Sequence, residues 1–350
     1  MASKKPKRKR HSEGIRELFD AFDTQDFSQS TCFLCGEKLN AKSRSDEHVF
    51  PLWLIRRFNL HNEQMVLLNG TSIPYRQLKI PCCKICNNQH LSAIERAVRC
   101  VIEGEQPIDS LSRKTLYLWV SKIFYGLLYR EVLLPADRAN PLRGPILPPD
   151  ILRRYRLLHV FLQSARLRMN FQCFDASFPA SVFAFKLQEP KTPAAKFDFK
   201  DDINLQTIYL RLGPIGILGA FDAGAQAAEW KRLYRKYSRY RLHPLQFEEL
   251  GAAIFCKASL FDRVPKLVMS GDSRRGYHVM IMPLQGMSQK PVFRQWDGAL
   301  FARYLSYFTG MPVEHLNPDR GNRVMTFLSG PGSRRFKAMK LSLLPWRGVP

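Results

Sequence analysis

A chain of 350 residues with 54 Lys and Arg against 30 Asp and Glu carries a formal net charge of +24. That length holds about two domains of roughly 150 residues each, and the 45% hydrophobic content excludes wholesale disorder. No run of 18 apolar residues and no apolar segment behind the basic N-terminus occur, so the sequence predicts neither a membrane span nor a secretory signal and a cytoplasmic protein is expected.

Residues 1–11, MASKKPKRKRH, form a basic tail expected to be disordered until it meets a polyanion. It reads equally as an arm along a phosphate backbone, a targeting signal or a solubilising tail. Ser12 to Phe22 then has helical spacing, with Ile15, Leu18, Phe19 and Phe22 on one face. Cys32 and Cys35 flank a tight turn that closes at Gly36. A short strand ends near His48-Val49-Phe50-Pro51, and Asn69-Gly70 between apolar runs predicts a hairpin. Cys83 and Cys86 follow, and from Asn87 the spacing of Leu91, Ile94, Ala97 and Val98 predicts a helix.

Downstream, 111–134 reads as an amphipathic helix and 135–150 as a Pro-rich loop. Asp150 is a candidate N-cap for a helix running to Gln163. Strands are expected at 167–174, 180–187, 205–212 and 214–221. Helices follow at 225–241 and 244–260, strands at 265–270 and 276–284, a helix at 291–308, and strands at 322–328 and 335–344. Strands and helices mixed without regular alternation imply an α+β class. The expected organisation is the tail at 1–11, a cysteine-bearing module at 12–105, and an α+β domain of unassigned role at 106–350.

Two C-x-x-C pairs, Cys32/Cys35 and Cys83/Cys86, suit a tetrahedral four-thiolate site for a structural zinc ion. Cys82 is a spare that a strand would point elsewhere. Cys100, Cys173 and Cys256 lie among apolar residues and read as small buried hydrophobes.

Between the cysteine pairs stands Glu47-His48, and Asn87 directly follows the last cysteine. This layout resembles the HNH, or ββα-metal, endonuclease superfamily, in its zinc-stapled branch that includes phage endonuclease VII. There the order is C-x-x-C, Asp-His, C-x-x-C-Asn. The likeness spans about 65 of the 350 residues. It implies an N-terminal treble-clef, ββα-metal zinc module ahead of the α+β domain. It also implies that His48 is the general base for an attacking water, and that Glu47 and Asn87 hold one catalytic Mg²⁺ or Mn²⁺ ion, with His90 as a further candidate ligand. The expected reaction is hydrolysis of DNA phosphodiester bonds to 5′-phosphate and 3′-hydroxyl ends, in phage defence or mobile-element biology. The sequence departs from the family pattern in having Glu for Asp before the base and a longer span to the second cysteine pair. Glu95, two turns beyond Asn87, reads as a structural partner of Arg96 or Arg99, or as a group supporting the ligands from behind, with the structural reading favoured. Asn69 matches a middle Asn of the family as well as it matches a turn former.

Two other readings stand beside this one. A treble-clef zinc module that binds nucleic acid or protein without catalysis needs the same cysteines. An RNA endonuclease needs the same site.

Trp230 to Arg241 interleaves aromatics with Lys231, Arg232, Arg235, Lys236, Arg239 and Arg241. On a helix these cations form a face able to lie on phosphates. Trp230, Leu233, Tyr237 and Tyr240 fit a core-facing stripe equally well. No nucleotide-binding glycine loop and no G-x-S-x-G nucleophile motif is present.

Overall fold

The computed structural model describes residues 17–24, 27–172, 179–262, 267–281, 291–321, 323–330 and 335–341. The basic tail, Cys173 and several strand ends expected from the sequence lie outside them. The described helices are α1 (Ala21–Thr24), α2 (Leu52–Arg57), α3 (Ser92–Ile102), α4 (Arg113–Val132), α5 (Pro149–Leu152), α6 (Arg156–Leu162), α7 (Ala225–Tyr237), α8 (Pro244–Ser259), α9 (Gly298–Thr309) and α10 (Val313–Leu316). The strands are β1 (Arg44–His48), β2 (Gln64–Val66), β3 (Ser72–Pro74), β4 (Lys79–Cys83), β5 (Met169–Gln172), β6 (Ser181–Leu187), β7 (Phe197–Asp202), β8 (Thr207–Leu212), β9 (Ile215–Ala220), β10 (Arg241–Leu242), β11 (Leu267–Asp272) and β12 (Gly276–Ile281). This is a mixed α+β architecture.

The central layer is a five-stranded sheet in the order β10-β6-β9-β8-β7, antiparallel except where β10 runs parallel to β6. Every residue of β8 and β9 is buried, because the sheet is covered on both faces. Successive side chains point to opposite sides of a strand. Ile208, Leu210 and Leu212 therefore join one apolar cluster and Tyr209 joins another. The first cluster contains α4, α6 and the cysteine-bearing segment. The second contains α8, α9 and part of α7. Gly216 and Phe247 meet where the second layer is tightest: a Cβ at Gly216 would lie 2.4 Å from the Phe247 ring.

Helix α4 is the element on which the first layer is built. Ser112 caps it by accepting from the Thr115 amide at 3.1 Å. The expected amphipathic helix is instead buried on all sides from Leu116 to Tyr129, since the cysteine-bearing segment, α6 and the sheet enclose it. Gly126 lets Val49 and Ile80 approach to within 3.2 and 3.5 Å of where a Cβ would sit. Lys122, 1% exposed, lies in the middle of this apolar helix.

Several local expectations change. Strand β7 is an addition to the expected set, although Phe197-Asp-Phe-Lys alternates; Phe197 and Phe199 pack edge-on against Phe50 at 6.4 and 5.1 Å. Asp150 sits in the first turn of α5 behind Pro148 rather than capping it, and a 3₁₀ turn at Arg153–Tyr155 breaks the expected single helix before α6. Helix α7 stops at Tyr237, because 241–242 pair with β6. Helix α9 begins at Gly298, where Asp297 caps it through the Leu300 amide. In place of two C-terminal strands, the described residues form a single bridge, Ser329 to Phe336. Glu249 and Gln246 of α8 take up the backbone groups of 327, 328 and 337 instead.

Residues on either side of 105 share one apolar cluster running from Phe22 to Val279. A fragment ending at 105 exposes the surfaces that α4 covers. It should aggregate or unfold without a cooperative transition, which thermal melts of fragment and full chain will compare.

Candidate metal centre and its neighbouring polar cluster

Four cysteines converge from two places in the chain. Cys32 and Cys35 sit on a turn closed by the Gly36 amide donating to the Cys32 carbonyl at 2.9 Å. Gly36 has φ +75°, and a Cβ there would strike the Phe19 ring, so the turn requires glycine. The Phe33 amide donates to the Pro81 carbonyl at 2.9 Å and fastens this turn to β4. Cys83 ends β4, and the Cys86 amide donates to its sulfur at 3.4 Å.

The sulfurs of Cys32, Cys35, Cys83 and Cys86 all lie within 4.8 Å of one another, and all four residues are buried. Cys35 and Cys83 are 3.7 Å apart, close to the roughly 3.8 Å edge of a tetrahedron with metal–sulfur bonds of about 2.3 Å. Thiols this close compete for protons. Thiol hydrogen bonds, that of Cys35 first, hold Cys32 far below its ordinary value, and the contact with Cys32 pushes Cys86 far above its own. One cation at the centre, binding all four as thiolates, removes the conflict. The cluster can hold a metal ion such as zinc. Cys82 is 3.9 Å from Cys32, outside the quartet as its strand position implies, and burial keeps its thiol protonated.

Strands β1 and β4 pair antiparallel, with Glu47 opposite Ile80 and His48 opposite Lys79. After Cys83 the chain turns into one π-helical turn, Cys86–Leu91, which continues as α3. A turn, two paired strands and a helix thus surround the cysteines, and the hairpin of β2 and β3 is inserted between the strands. That hairpin turns at Gly70, φ +79°. Asn69 accepts from the Thr71 amide and donates to the Ala136 carbonyl at 2.9 Å, so it ties the hairpin to the Pro-rich loop.

Asn87, half-buried on the π turn, donates its amide nitrogen to Ser45 Oγ at 3.0 Å and to the Asp46 carbonyl at 3.3 Å. Ser45 and Glu47 share a face of β1 by two-residue alternation. Asn87 is thus fixed to the strand that carries Glu47 and His48, with its carbonyl oxygen not spent on that bond. Glu47 is 4% exposed and accepts from Lys122 Nζ through Oε1 at 2.7 Å. Lys122 also donates to Glu95 Oε1 at 2.7 Å and to the His48 carbonyl at 2.8 Å. Burial pushes Glu47 up to about 7, against the pull of Lys122. Burial works against the Lys122 charge as well, but Glu47 and Glu95 outweigh it and hold the amine above its ordinary value.

His48 is half-buried. Burial first, then the Lys79 and Lys122 charges, lower its value, so the imidazole is neutral at neutral pH and able to accept a proton. His90 is lowered by burial and by Arg166, and no hydrogen bond among the described residues joins it to Glu47 or Asn87. Asn87 and His90 both lie on the π turn, where three residues carry the chain less far round than in an α-helix.

Glu95 does not pair with Arg96 or Arg99. It shares Lys122 with Glu47, while Arg99 pairs with Glu103 at 2.9 Å. Lys122 was invisible to sequence reasoning as a site residue; a lone Lys in the long apolar run of α4 was its signal.

On α7, Trp230, Leu233 and Tyr234 pack against the second core and Tyr237 is buried in it, so these aromatics are spent on packing. Tyr240 stacks on Phe336 at 3.9 Å. Lys231, Arg232, Arg235, Arg239 and Arg241 are exposed, and Lys236 lies over the Tyr237 ring at 4.7 Å. No helix among the described residues is long and apolar enough to cross a membrane. No protein-family model, no curated protein and no solved structure matches the chain.

The quartet makes a direct prediction. Cys35→Ser should lose bound zinc, from about one ion per chain to near none by elemental analysis. It should also lower the melting temperature by roughly 10 °C or more, because structural zinc binding is folding free energy. Cys82→Ala should keep its zinc.

Proposed function

We propose that the chain is a metal-dependent endonuclease of HNH type that hydrolyses DNA phosphodiester bonds, built on a treble-clef, ββα-metal module stapled by zinc. The observation that carries this reading is Asn87. Its nitrogen is committed to β1, which leaves a carbonyl oxygen beside the strand bearing Glu47 and His48. Hard oxygen ligands of this kind suit Mg²⁺ or Mn²⁺. When bound, such an ion supplies Lewis-acid stabilisation of charge on the phosphate and the leaving oxygen. Glu47 offers Oε2, since Oε1 is held by Lys122, and Asn87 offers Oδ1. His48, neutral at working pH, takes the proton of the attacking water. The net charge of +24 favours a polyanionic substrate. The exposed cations of α7 offer phosphates a surface, without base stacking by Trp230 or Tyr234.

One observation favours the alternative, a zinc module that binds nucleic acid or protein without catalysis: Glu47 is nearly buried and already engaged by an ammonium. The two readings part in a nicking assay. Supercoiled plasmid should be nicked with Mg²⁺ or Mn²⁺, and His48→Ala should lose this activity by at least about a hundredfold while keeping zinc and fold. Binding of DNA with no cleavage by the wild type identifies the non-catalytic module, and cleavage of RNA in place of DNA reassigns the substrate. Asn87→Ala should raise the metal concentration needed for cleavage and leave the zinc in place.

A charge-reversed α7, Lys231→Glu with Arg232→Glu and Arg235→Glu, should weaken DNA binding. It should also flatten the dependence of log affinity on log salt by about one unit for each phosphate no longer neutralised. Titrations at several salt concentrations will read both.

A further inference from the structure

We infer that Lys122 and Glu95 are positioning residues for the divalent-ion site: Lys122 aims the Glu47 carboxylate and pins the backbone at His48, and Glu95 gives the buried cluster a second carboxyl group against its single amine. The inference rests on the nuclease reading and concerns how that site is made to attract a cation.

Lys122 Nζ has three N–H groups and three acceptors: Glu47 Oε1 at 2.7 Å, Glu95 Oε1 at 2.7 Å and the His48 carbonyl at 2.8 Å. An ammonium with every donor used is locked in place. Its acceptors come from β1 and α3 while Lys122 itself is on α4, so one side chain registers three elements. Two of the acceptors belong to the neighbouring residues proposed for chemistry. Holding Oε1 of Glu47 restrains the whole carboxylate, Oε2 included. Holding the His48 carbonyl fixes the peptide from which the imidazole projects. Catalytic groups gain from such restraint, since small misplacements cost large factors in rate.

The charge balance assigns Glu95 its part. Lys122 with Glu47 alone would be a neutral pair and a poor seat for a cation. Glu95 takes a share of the same ammonium, and the cluster then holds two carboxyl groups and one amine. In a chain whose excess charge is positive, this small cluster is a place where carboxyl groups outnumber amines, with little water to screen a cation from them. A merely structural ion pair would work as well without the second carboxylate.

The test separates charge from aim and uses the full zinc-loaded chain. Mn²⁺ binding is followed by electron paramagnetic resonance, and nicking is measured at saturating Mn²⁺. Glu95→Gln keeps an oxygen for Lys122 and leaves one carboxyl group to one amine. It should weaken Mn²⁺ binding about tenfold with zinc content and melting temperature held. The double variant Lys122→Met/Glu95→Gln restores the excess of one carboxyl group without the clamp. It should bind Mn²⁺ within about threefold of wild type yet nick at least about tenfold more slowly. If the wild type binds Mn²⁺ and nicks DNA while Glu95→Gln leaves Mn²⁺ affinity unchanged, the charge role is overturned. If the double variant nicks at the wild-type rate, the aiming role is overturned. A wild type that binds no Mn²⁺ overturns the nuclease reading itself. Glu95→Gln decides the charge role even where the double variant does not fold.

Discussion

An ammonium enclosed in an apolar helix is costly unless each of its donors is met, and Lys122 meets all three within 2.8 Å. Taking a charge out of water costs several kcal/mol after relaxation, and removing one partner of a buried ion pair typically costs about 3–5 kcal/mol. That cost makes the contact selective. Strand β1, helix α3 and helix α4 must all reach their places together, because any one missing leaves a buried donor or acceptor unmet. The segment between the cysteines and the helix enclosed by the sheet are therefore joined by electrostatics as well as by the apolar cluster around Gly126 and Val49.

The cysteine quartet works on the same hairpin from its other end. Its sulfurs hold the turn at Cys32–Cys35 against β4 and the start of the π turn, and so set where Asn87 begins. Arg166 lies close by, with its Nε donating to the Leu34 carbonyl at 3.3 Å, and burial lowers its value although the cysteines pull the other way. His159 seals the underside: one ring nitrogen contacts the Phe33 carbonyl at 2.7 Å, the ring stacks on Tyr125, and burial lowers it to about 4. A neutral ring in a dry place adds no charge to compete with the thiolates. Cysteine quartet and polar cluster are thus separate devices, linked by the pairing of β1 with β4 and by the π turn that continues as α3.

Much of the secondary structure was legible because its signals are local. The C-x-x-C spacing, the Asn-Gly hairpin, and the apolar runs of β6, β8 and β9 each state their element within a few residues. The misses have physical causes as well. The alternation of β7 was masked by its charges, which suit an edge strand. The breadth of burial around α4 depends on what covers it, and helical spacing cannot report that. The π turn after Cys86 winds less per residue than an α-helix, so a spacing of three does not by itself put His90 and Asn87 on one face. The basic run at 230–241 contained both of its roles, and packing divided them: aromatics inward, most of the cations outward.

What the sequence by itself determined is the composition of the site: four cysteines in two pairs, a Glu-His dipeptide between them and an Asn after the last. Metal-ligand chemistry and turn formation depend on residue type and short spacing, so these were readable without a fold. Only the tertiary structure decided that Glu47 is held by a lysine 75 residues away, that Glu95 shares it, and that Asn87 turns its nitrogen to β1. Those facts arise from contacts between distant segments, whose geometry is set by the burial of α4 against the sheet, and no local pattern encodes them.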